Sequence, residues 1–437
     1  MREKIRKTRS LCPVCMKNTE AVLLKDTQTG AVYMEKTCPE HGDFSVPLWR
    51  GRVDFDKWTK GAEKLKDSEG ENCPRDCGLC DKHRQGTCCV VYEVTKRCDL
   101  KCRFCFADGG QDTEDKPLSV IKEEIKDIVR LAGSPTIQIS GGEPTLRDDL
   151  PDIVRCAKEQ GCSFVQLNSN GLRISEDEAF VQRLAKAGVD YVFMQFDGFR
   201  PETYEYLRGS DLLEKKKAAI KTCDRYGIGV TLVPTVVRGV NDGELGDIVR
   251  FAAANSPAVR GVHFQPVSFF GRTPGEPDDA DRYTLDELVF DICDQAGLDM
   301  SGFVPSRCDH PLCGFHSSYI KMPDGSLYQV SDAGRSGCGD SSAEKNRDFI
   351  GRRWKRNEKD SLGGGIRSGG KLDIMDKNAP VDLDTFVESM RKSSFTLTSM
   401  AFHDKYNINV ERLVRCSLHV YEDGRLTPFC FSYILKE

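Results

Sequence analysis

The sequence predicts an α/β fold built on an incomplete (β/α)6 barrel, with a small metal-binding module before it and a cysteine-bearing region after it. Three observations carry this. Six short β-branched stretches alternate with charged amphipathic stretches between residues 89 and 290. Three closely spaced cysteines follow the first stretch, where a barrel places its catalytic loops. Further cysteines fall in groups on both sides of the barrel segment.

Residues 1–60 form the first module. Cys12-Pro-Val-Cys15 and Cys38-Pro-Glu-His41 are two knuckles, and Ala21–Leu24 and Ala31–Met34 pair as a hairpin between them. A hairpin joining two knuckles holds one metal in rubredoxin-like and zinc-ribbon modules. Three sulfurs and one imidazole suit tetrahedral zinc or mononuclear iron, and four protein ligands close the shell, so the expected role is structural. Residues 61–88 follow as an auxiliary iron–sulfur segment. Cys73, Cys77, Cys80 and Cys88 supply four ligands, enough for a [4Fe–4S] cluster. Cys77 and Cys80 also suit a zinc site, and Cys89 rivals Cys88.

Residues 89–290 carry the barrel. Strands are expected at Cys89–Thr95, Thr136–Ser140, Phe164–Asn168, Tyr191–Phe196, Ile228–Thr235 and Gly261–Val267. Between them lie helical stretches such as Val120–Leu131, with apolar residues at helical spacing. This rhythm argues for a parallel sheet with right-handed crossovers. Cys98, Cys102 and Cys105 lie in one loop, spaced C-x3-C-x2-C. That spacing lets three sulfurs meet three irons of a cubane and leaves the fourth iron open; a zinc knuckle would use four ligands in paired spacing. About 35 residues on, Gly141-Gly142-Glu143-Pro144 follows a strand. Two glycines let backbone approach a ligand closely, and Glu143 can accept from an ammonium group. Asn168, Asn170, Asp197 and His263 stand at later strand ends, and Arg208 can pair with a carboxylate through its planar fork. Each of these also suits a cap, a turn or a supporting hydrogen bond.

Residues 291–437 are expected to hold another cluster. Cys308, Cys313, Cys416 and Cys430 supply its ligands, with Cys338 as a rival, and Asp423-Gly424 turns a hairpin between the last two. The stretch Asn346–Lys371 reads as a surface loop or lid. Cys156, Cys162, Cys223 and Cys293 read as buried inert thiols.

Composition narrows the class. The chain has 437 residues and a net charge of −5, so no global basic field points to nucleic acid. No apolar run reaches transmembrane length and the N-terminus lacks a signal segment, which predicts a cytoplasmic protein. Twenty cysteines in a long cytosolic chain point to metal binding or catalysis rather than disulfides. Exposed clusters suit an anaerobic host.

With Phe104 as the aromatic of C-x3-C-x-aromatic-C, the sequence resembles the radical S-adenosylmethionine (SAM) superfamily. The order of all the cysteine motifs is similar to a group that includes archaeal tetraether lipid synthases and class D methylases acting on pterins. The chain looks most like TrsS-type radical SAM (seleno)proteins. The resemblance implies a catalytic [4Fe–4S] cluster on Cys98, Cys102 and Cys105, with SAM bound by Gly141, Gly142, Glu143 and Pro144. It implies reductive cleavage of SAM to a 5′-deoxyadenosyl radical that abstracts hydrogen from an unactivated carbon, with transferase-type C–C bond formation or methylation to follow. Two auxiliary [4Fe–4S] clusters would carry electrons or bind substrate, and flavodoxin or ferredoxin would donate electrons. The substrate class stays open among small molecule, lipid and peptide. A peptide-modifying radical SAM enzyme is an alternative, as is an iron–sulfur electron carrier. The intact Gly141-Gly142-Glu143 weighs against the carrier, which needs no SAM pocket.

Overall fold

The structure is a computed structural model. It describes residues 1–60, 73–74, 78–306, 308–330, 342–356, 365–375 and 382–436, the side chains at 385, 388, 390 and 391 excepted. Cys77, Cys338 and residues 357–364 of the expected loop lie outside the described residues.

The N-terminal module is a four-stranded antiparallel meander: Arg2–Leu11, Asn18–Asp26, Val32–Cys38 and Gly42–Trp49. The central pair is the expected hairpin. The first strand is rich in Lys and Arg, a composition that suits an exposed edge. Beyond the last strand, Trp49 packs against Phe55 and Trp58 at ring distances of 5.6 and 5.7 Å. The module is bound to the rest of the chain by polar contacts. Buried Lys36 donates to the Leu11 and Tyr406 carbonyls at 2.6 and 2.8 Å. The backbone N–H groups of Arg50 and Arg52 donate to Asp286 on the helix Leu285–Ala296.

Six parallel strands make the barrel: Cys89–Thr95, Thr136–Gly141, Phe164–Ser169, Tyr191–Gln195, Gly229–Val233 and Val259–Pro266. Each of the first five pairs with the next in parallel register, for example Ile139 opposite Leu167. Alternation sorts their side chains. Ile137, Ile139, Val165, Leu167, Met194, Val230 and Leu232 are buried in the main core shared with the surrounding helices. Gln138, Gln166, Asn168, Tyr191, Phe193, His263 and Gln265 line the interior. Apolar residues outside and polar or aromatic residues inside are what a barrel needs if it is to hold a ligand.

The sheet does not close on itself; C-terminal strands extend both edges. Ser394–Ser399 lies parallel beside the sixth strand, followed by antiparallel Phe315–Lys321. Leu418–Glu422 lies parallel beside the first strand and turns back into Arg425–Pro428. Asp423 and Gly424 both take positive φ, +49° and +75°. That pair of angles makes the primed turn that matches strand twist.

The expectation of a surface loop from Asn346 onward is corrected. Ala343–Trp354 is a helix, capped by the Ser342 side chain. Its charged composition hides an apolar end. Trp354 is buried, its Nε1 donates to Thr396 Oγ1 at 2.9 Å, and its ring meets Tyr191 and Phe193 at 5.5 and 4.8 Å. A Cβ added to Gly229 would lie 2.2 Å from the Trp354 carbonyl. The helix therefore plugs the N-terminal mouth of the barrel. Among the described residues no helix is long and apolar enough to cross a membrane.

Candidate functional site

Two metal-type sites and one double cavity stand out. In the N-terminal module, ligand atoms of Cys12, Cys15, Cys38 and His41 all lie within 4.8 Å of one another. Zinc bonds of about 2.3 Å to sulfur and 2.0–2.1 Å to nitrogen, at tetrahedral angles, imply S···S near ~3.8 Å and S···N near ~3.6 Å. The Cys15–Cys38 sulfurs are 3.9 Å apart, and His41 Nδ1 stands 3.7 and 3.5 Å from the Cys12 and Cys38 sulfurs. These spacings fit one tetrahedral ion and leave no open position.

At the C-terminal end of the barrel, Cys98, Cys102 and Cys105 line a cavity of about 130 Å³. No fourth cysteine and no histidine is among its described lining residues. Three thiols facing one cavity fit a cubane with an open iron. Burial pushes the Cys98 thiol up to about 12.

Backbone hydrogen bonds lock the two sequence motifs together. Gly142 N donates to Thr95 O and Glu143 N to Arg97 O, both at 2.8 Å. Gly141 has φ +119°, and a Cβ on Gly142 would lie 2.1 Å from Arg97 O. Only glycine lets the two chain segments approach so closely. Glu143 is 1% exposed, and burial raises its pKa. Its Oε1 accepts from Thr145 N, Thr145 Oγ1 and Ser169 Oγ at 3.0, 2.6 and 2.9 Å, and its Oε2 accepts from Asn170 N at 2.7 Å. The carboxylate thus ties the second barrel strand to the third while it lines the cavity.

The other expected residues divide. Phe104, Asn168, Asn170 and Arg208 line this cavity. Asn170 Nδ2 donates to Asp99 at 2.6 Å, beside Cys98. Pro144 starts a short 3-10 turn and does not line the cavity. Asp197 is fully buried behind Arg208 and accepts from its Nε and Nη2, both at 2.7 Å. This pairing holds the Arg208 pKa high despite burial. His263 lies deeper in the barrel, with Nδ1 2.8 Å from Thr398 Oγ1, and burial lowers it to about 4.

Several contributors escaped sequence reasoning. Lys216 is fully buried and donates to the Asn170 carbonyl; burial lowers it to about 8. Arg272 lines the cavity, and its backbone pairs with Cys105. Both sit in ordinary helix or loop contexts with no motif around them, so no local signal marks them.

This cavity adjoins a second chamber of about 140 Å³, and Phe106, Asn168, Phe193 and Gln265 line both. The chamber walls are aromatic (Tyr191, Phe193, Trp354) with the amides Gln138, Gln166 and Asn168 among them. Gln166 Oε1 and Ser399 Oγ are buried without a hydrogen-bond partner among the described residues. An unpaired buried polar atom costs about 1–3 kcal/mol, so the chamber suits a ligand with polar edges and an apolar face.

The remaining described cysteines of the expected clusters lie at the first-strand edge of the barrel and in the C-terminal region. Cys308 Sγ stands 3.2 Å from Ser417 Oγ, and Cys88 N donates to Ser417 O at 2.9 Å. Arg412 Nε reaches the Cys313 sulfur at 3.4 Å, and His403 N reaches the Cys430 sulfur at 3.3 Å. Cys73 is half-buried and Cys80 exposed.

Comparison with known proteins agrees with this layout. Residues 92–252 match the model of the radical SAM superfamily, and residues 4–50 match that of the HMPTM N-terminal zinc ribbon domain. The chain is 32% identical to 7,8-dihydro-6-hydroxymethylpterin dimethyltransferase of Methanocaldococcus jannaschii, over 97% of this chain and 92% of that protein. It is 36% identical to a probable GTP 3′,8-cyclase of Thermococcus kodakarensis, over 37% of this chain and 51% of that one. Among solved structures it is similar to Streptococcus suis SuiB bound to precursor peptide SuiA, with a TM-score of 0.41, 18% identity, and coverage of 49% of this chain and 48% of that one.

Proposed function

The chain belongs to the radical SAM superfamily, in the family that includes the methanogen pterin dimethyltransferase, and from that premise we propose that it methylates a carbon of a pterin-type heterocycle. The observation that carries the reading is the double cavity. A cofactor site bounded by three thiols opens directly onto a chamber with aromatic walls and amide edges. Full-length similarity to a pterin methylase supports it.

Cys98, Cys102 and Cys105 would hold the cluster, and Gly141, Gly142, Glu143, Asn168, Asn170 and Arg208 would hold SAM. Bound together, cluster and SAM supply a 5′-deoxyadenosyl radical. The chain's own residues do the rest. Among the described residues Glu143 Oε2 accepts one hydrogen bond, from Asn170 N, which leaves a lone pair for the SAM ammonium. Asp197 fixes the Arg208 fork at the cavity wall, ready for a carboxylate. Phe193 and Trp354 give a flat ring an aromatic wall, while Gln138, Gln166 and Ser399 present donors and acceptors to its edge. The helix Ala343–Trp354 excludes water from below. In the N-terminal module the ion is zinc, and its role is to hold the fold.

The test is anaerobic turnover of the iron- and sulfide-loaded protein with SAM, a low-potential reductant and a dihydropterin. We expect 5′-deoxyadenosine and methionine from SAM cleaved with the reductant's electrons, together with a pterin carrying one or two added methyl groups, each taken from a further SAM that leaves as S-adenosylhomocysteine. SAM cleavage stimulated by a peptide but not by any pterin would overturn the reading.

A further inference from the structure

Two polar side chains on the wall of the aromatic chamber are held so that each keeps a lone pair. Gln166, on the third barrel strand, is 1% exposed and stands level with Gln138 and Tyr191 on the neighbouring strands. Its Nε2 donates to Asn168 Oδ1 at 2.7 Å, and Asn168 Nδ2 donates onward to Ser140 Oγ at 3.4 Å. The amide nitrogen is committed in that direction. Its oxygen, Oε1, is the buried atom with no partner among the described residues, and an amide oxygen only accepts.

His263, on the sixth strand, lines the same chamber and is not among the described residues that line the thiol-bounded cavity. Register sets it beside Thr398 on the strand Ser394–Ser399. Its Nδ1 lies 2.8 Å from Thr398 Oγ1, and that hydroxyl donates to the Val262 carbonyl at 3.5 Å. With its proton so directed, Thr398 Oγ1 accepts from Nδ1–H. In a neutral imidazole this fixes the tautomer, and Nε2 keeps its lone pair. Phe193 provides the flat surface near both acceptors. It stands in register with Asn168, and its ring lies 5.3 Å from His263 and 4.8 Å from Trp354. A ring N–H placed against either acceptor gains a hydrogen bond. A bare ring nitrogen or a carbonyl there sets lone pair against lone pair and leaves a buried acceptor unsatisfied.

We infer that Gln166 and His263 set the substrate specificity of the chamber: Gln166 Oε1 and His263 Nε2 each accept from an N–H group of the heterocycle, one from an exocyclic amine and one from a ring N–H. This sharpens the pterin reading and rests on it. A 7,8-dihydropterin offers both groups, the 2-amino group and N8–H. The fully oxidised ring offers only the first, because its N8 carries a lone pair in place of hydrogen.

The test is equilibrium dialysis of the anaerobically metal-loaded full chain, with SAM and without reductant. The probes are 6-hydroxymethyl-7,8-dihydropterin, its oxidised form, and its 2-deamino derivative, in which hydrogen replaces the amino group. The unmodified protein should bind the first about tenfold more tightly than either of the others. Gln166→Met and His263→Phe each remove one acceptor without supplying another. Each variant should bind the dihydropterin about tenfold more weakly. Each should also erase one of the two preferences and keep the other, a different one in each variant. Preferences that survive in both variants would overturn the assignment, as would equal binding of the three probes by the unmodified protein. Tighter binding of the oxidised or deaminated probe would overturn it too, because the Gln166–Asn168 amides would then run in reverse or Nε2 of His263 would carry the proton. Ellipticity and iron content check folding, and Gln166→Leu or His263→Leu replaces a variant that fails either. If no pterin binds the unmodified protein, the pterin reading falls and this assignment with it. Pterin binding without these preferences overturns the assignment alone.

Discussion

Replacing Asp197 by Asn tests whether the Arg208 fork is held by a buried charge pair. Asp197 and Arg208 are 0% and 4% exposed, and the carboxylate accepts from Arg208 Nε and Nη2 at 2.7 Å and from Thr235 N at 3.0 Å. Asn keeps one acceptor and turns an NH2 group toward a donor, leaving the guanidinium charge buried and unpaired. Losing one partner of a buried pair costs about 3–5 kcal/mol, or roughly two to four orders of magnitude in the unfolding equilibrium. An exposed pair such as Lys217–Glu214, whose side chains are 30% and 83% exposed, should be worth under about 1 kcal/mol. Replacing both partners, Asp197→Leu with Arg208→Met, should recover most of the lost stability, because the desolvation cost disappears with the charges. The assay is anaerobic urea denaturation of the metal-loaded protein followed by ellipticity, alongside equilibrium SAM binding. Binding should fall in both variants while stability falls in only one. A loss under about 1 kcal/mol in Asp197→Asn, or a double variant no more stable than the single one, would refute the reasoning.

Other perturbations have equally definite outcomes. Cys12→Ser with Cys15→Ser should lose one metal ion per chain, measured by elemental analysis, and leave the rest of the metal complement and SAM cleavage measurable; an unchanged metal count would show that the ligands are misassigned. Glu143→Gln should weaken SAM binding by about 1.5–3 kcal/mol, read by equilibrium dialysis. Trp354→Ala should cost about 3–5 kcal/mol through the cavity it leaves, measured by denaturation. Burial lowers His263 from its ordinary 6.5 to about 4, so the folded state resists its protonation. The stability this neutral imidazole contributes is full above about pH 6.5 and is lost as pH falls toward 4, a swing of about 3 kcal/mol. His263→Phe should flatten that part of the pH–stability profile; an unchanged slope would show that His263 is not its source.

The barrel was legible because its signals are local. Six β-branched runs and two short motifs marked every strand, and the observed bounds differ by only a residue or two. The zinc-type site was legible for the same reason, since both knuckles and the hairpin between them lie within about 40 residues. What escaped depends on contacts between distant segments. Asp197-Gly198 looks like a turn until Arg208 is folded against it. Lys216 looks like one lysine in the run Lys215–Lys217, and only helix packing buries it. The charges of Asn346–Trp354 hid a plug whose only signature is a tryptophan five residues after a phenylalanine. The contacts of Cys88 and Cys308 with Ser417 join segments more than a hundred residues apart, and spacing carries no information at that range.

The two edge extensions have a consequence for synthesis. The six parallel strands are complete once residue 266 has emerged from the ribosome, yet their outer edges are covered only by residues 394–399 on one side and 418–422 on the other. Throughout that interval the nascent barrel offers unpaired backbone N–H and C=O rows on both flanks, the surfaces that recruit other chains. Residues 394–422 are therefore a seal. A ribosome stalled before them leaves a molecule with most of its core and its three-cysteine loop, and two exposed edges through which it can aggregate.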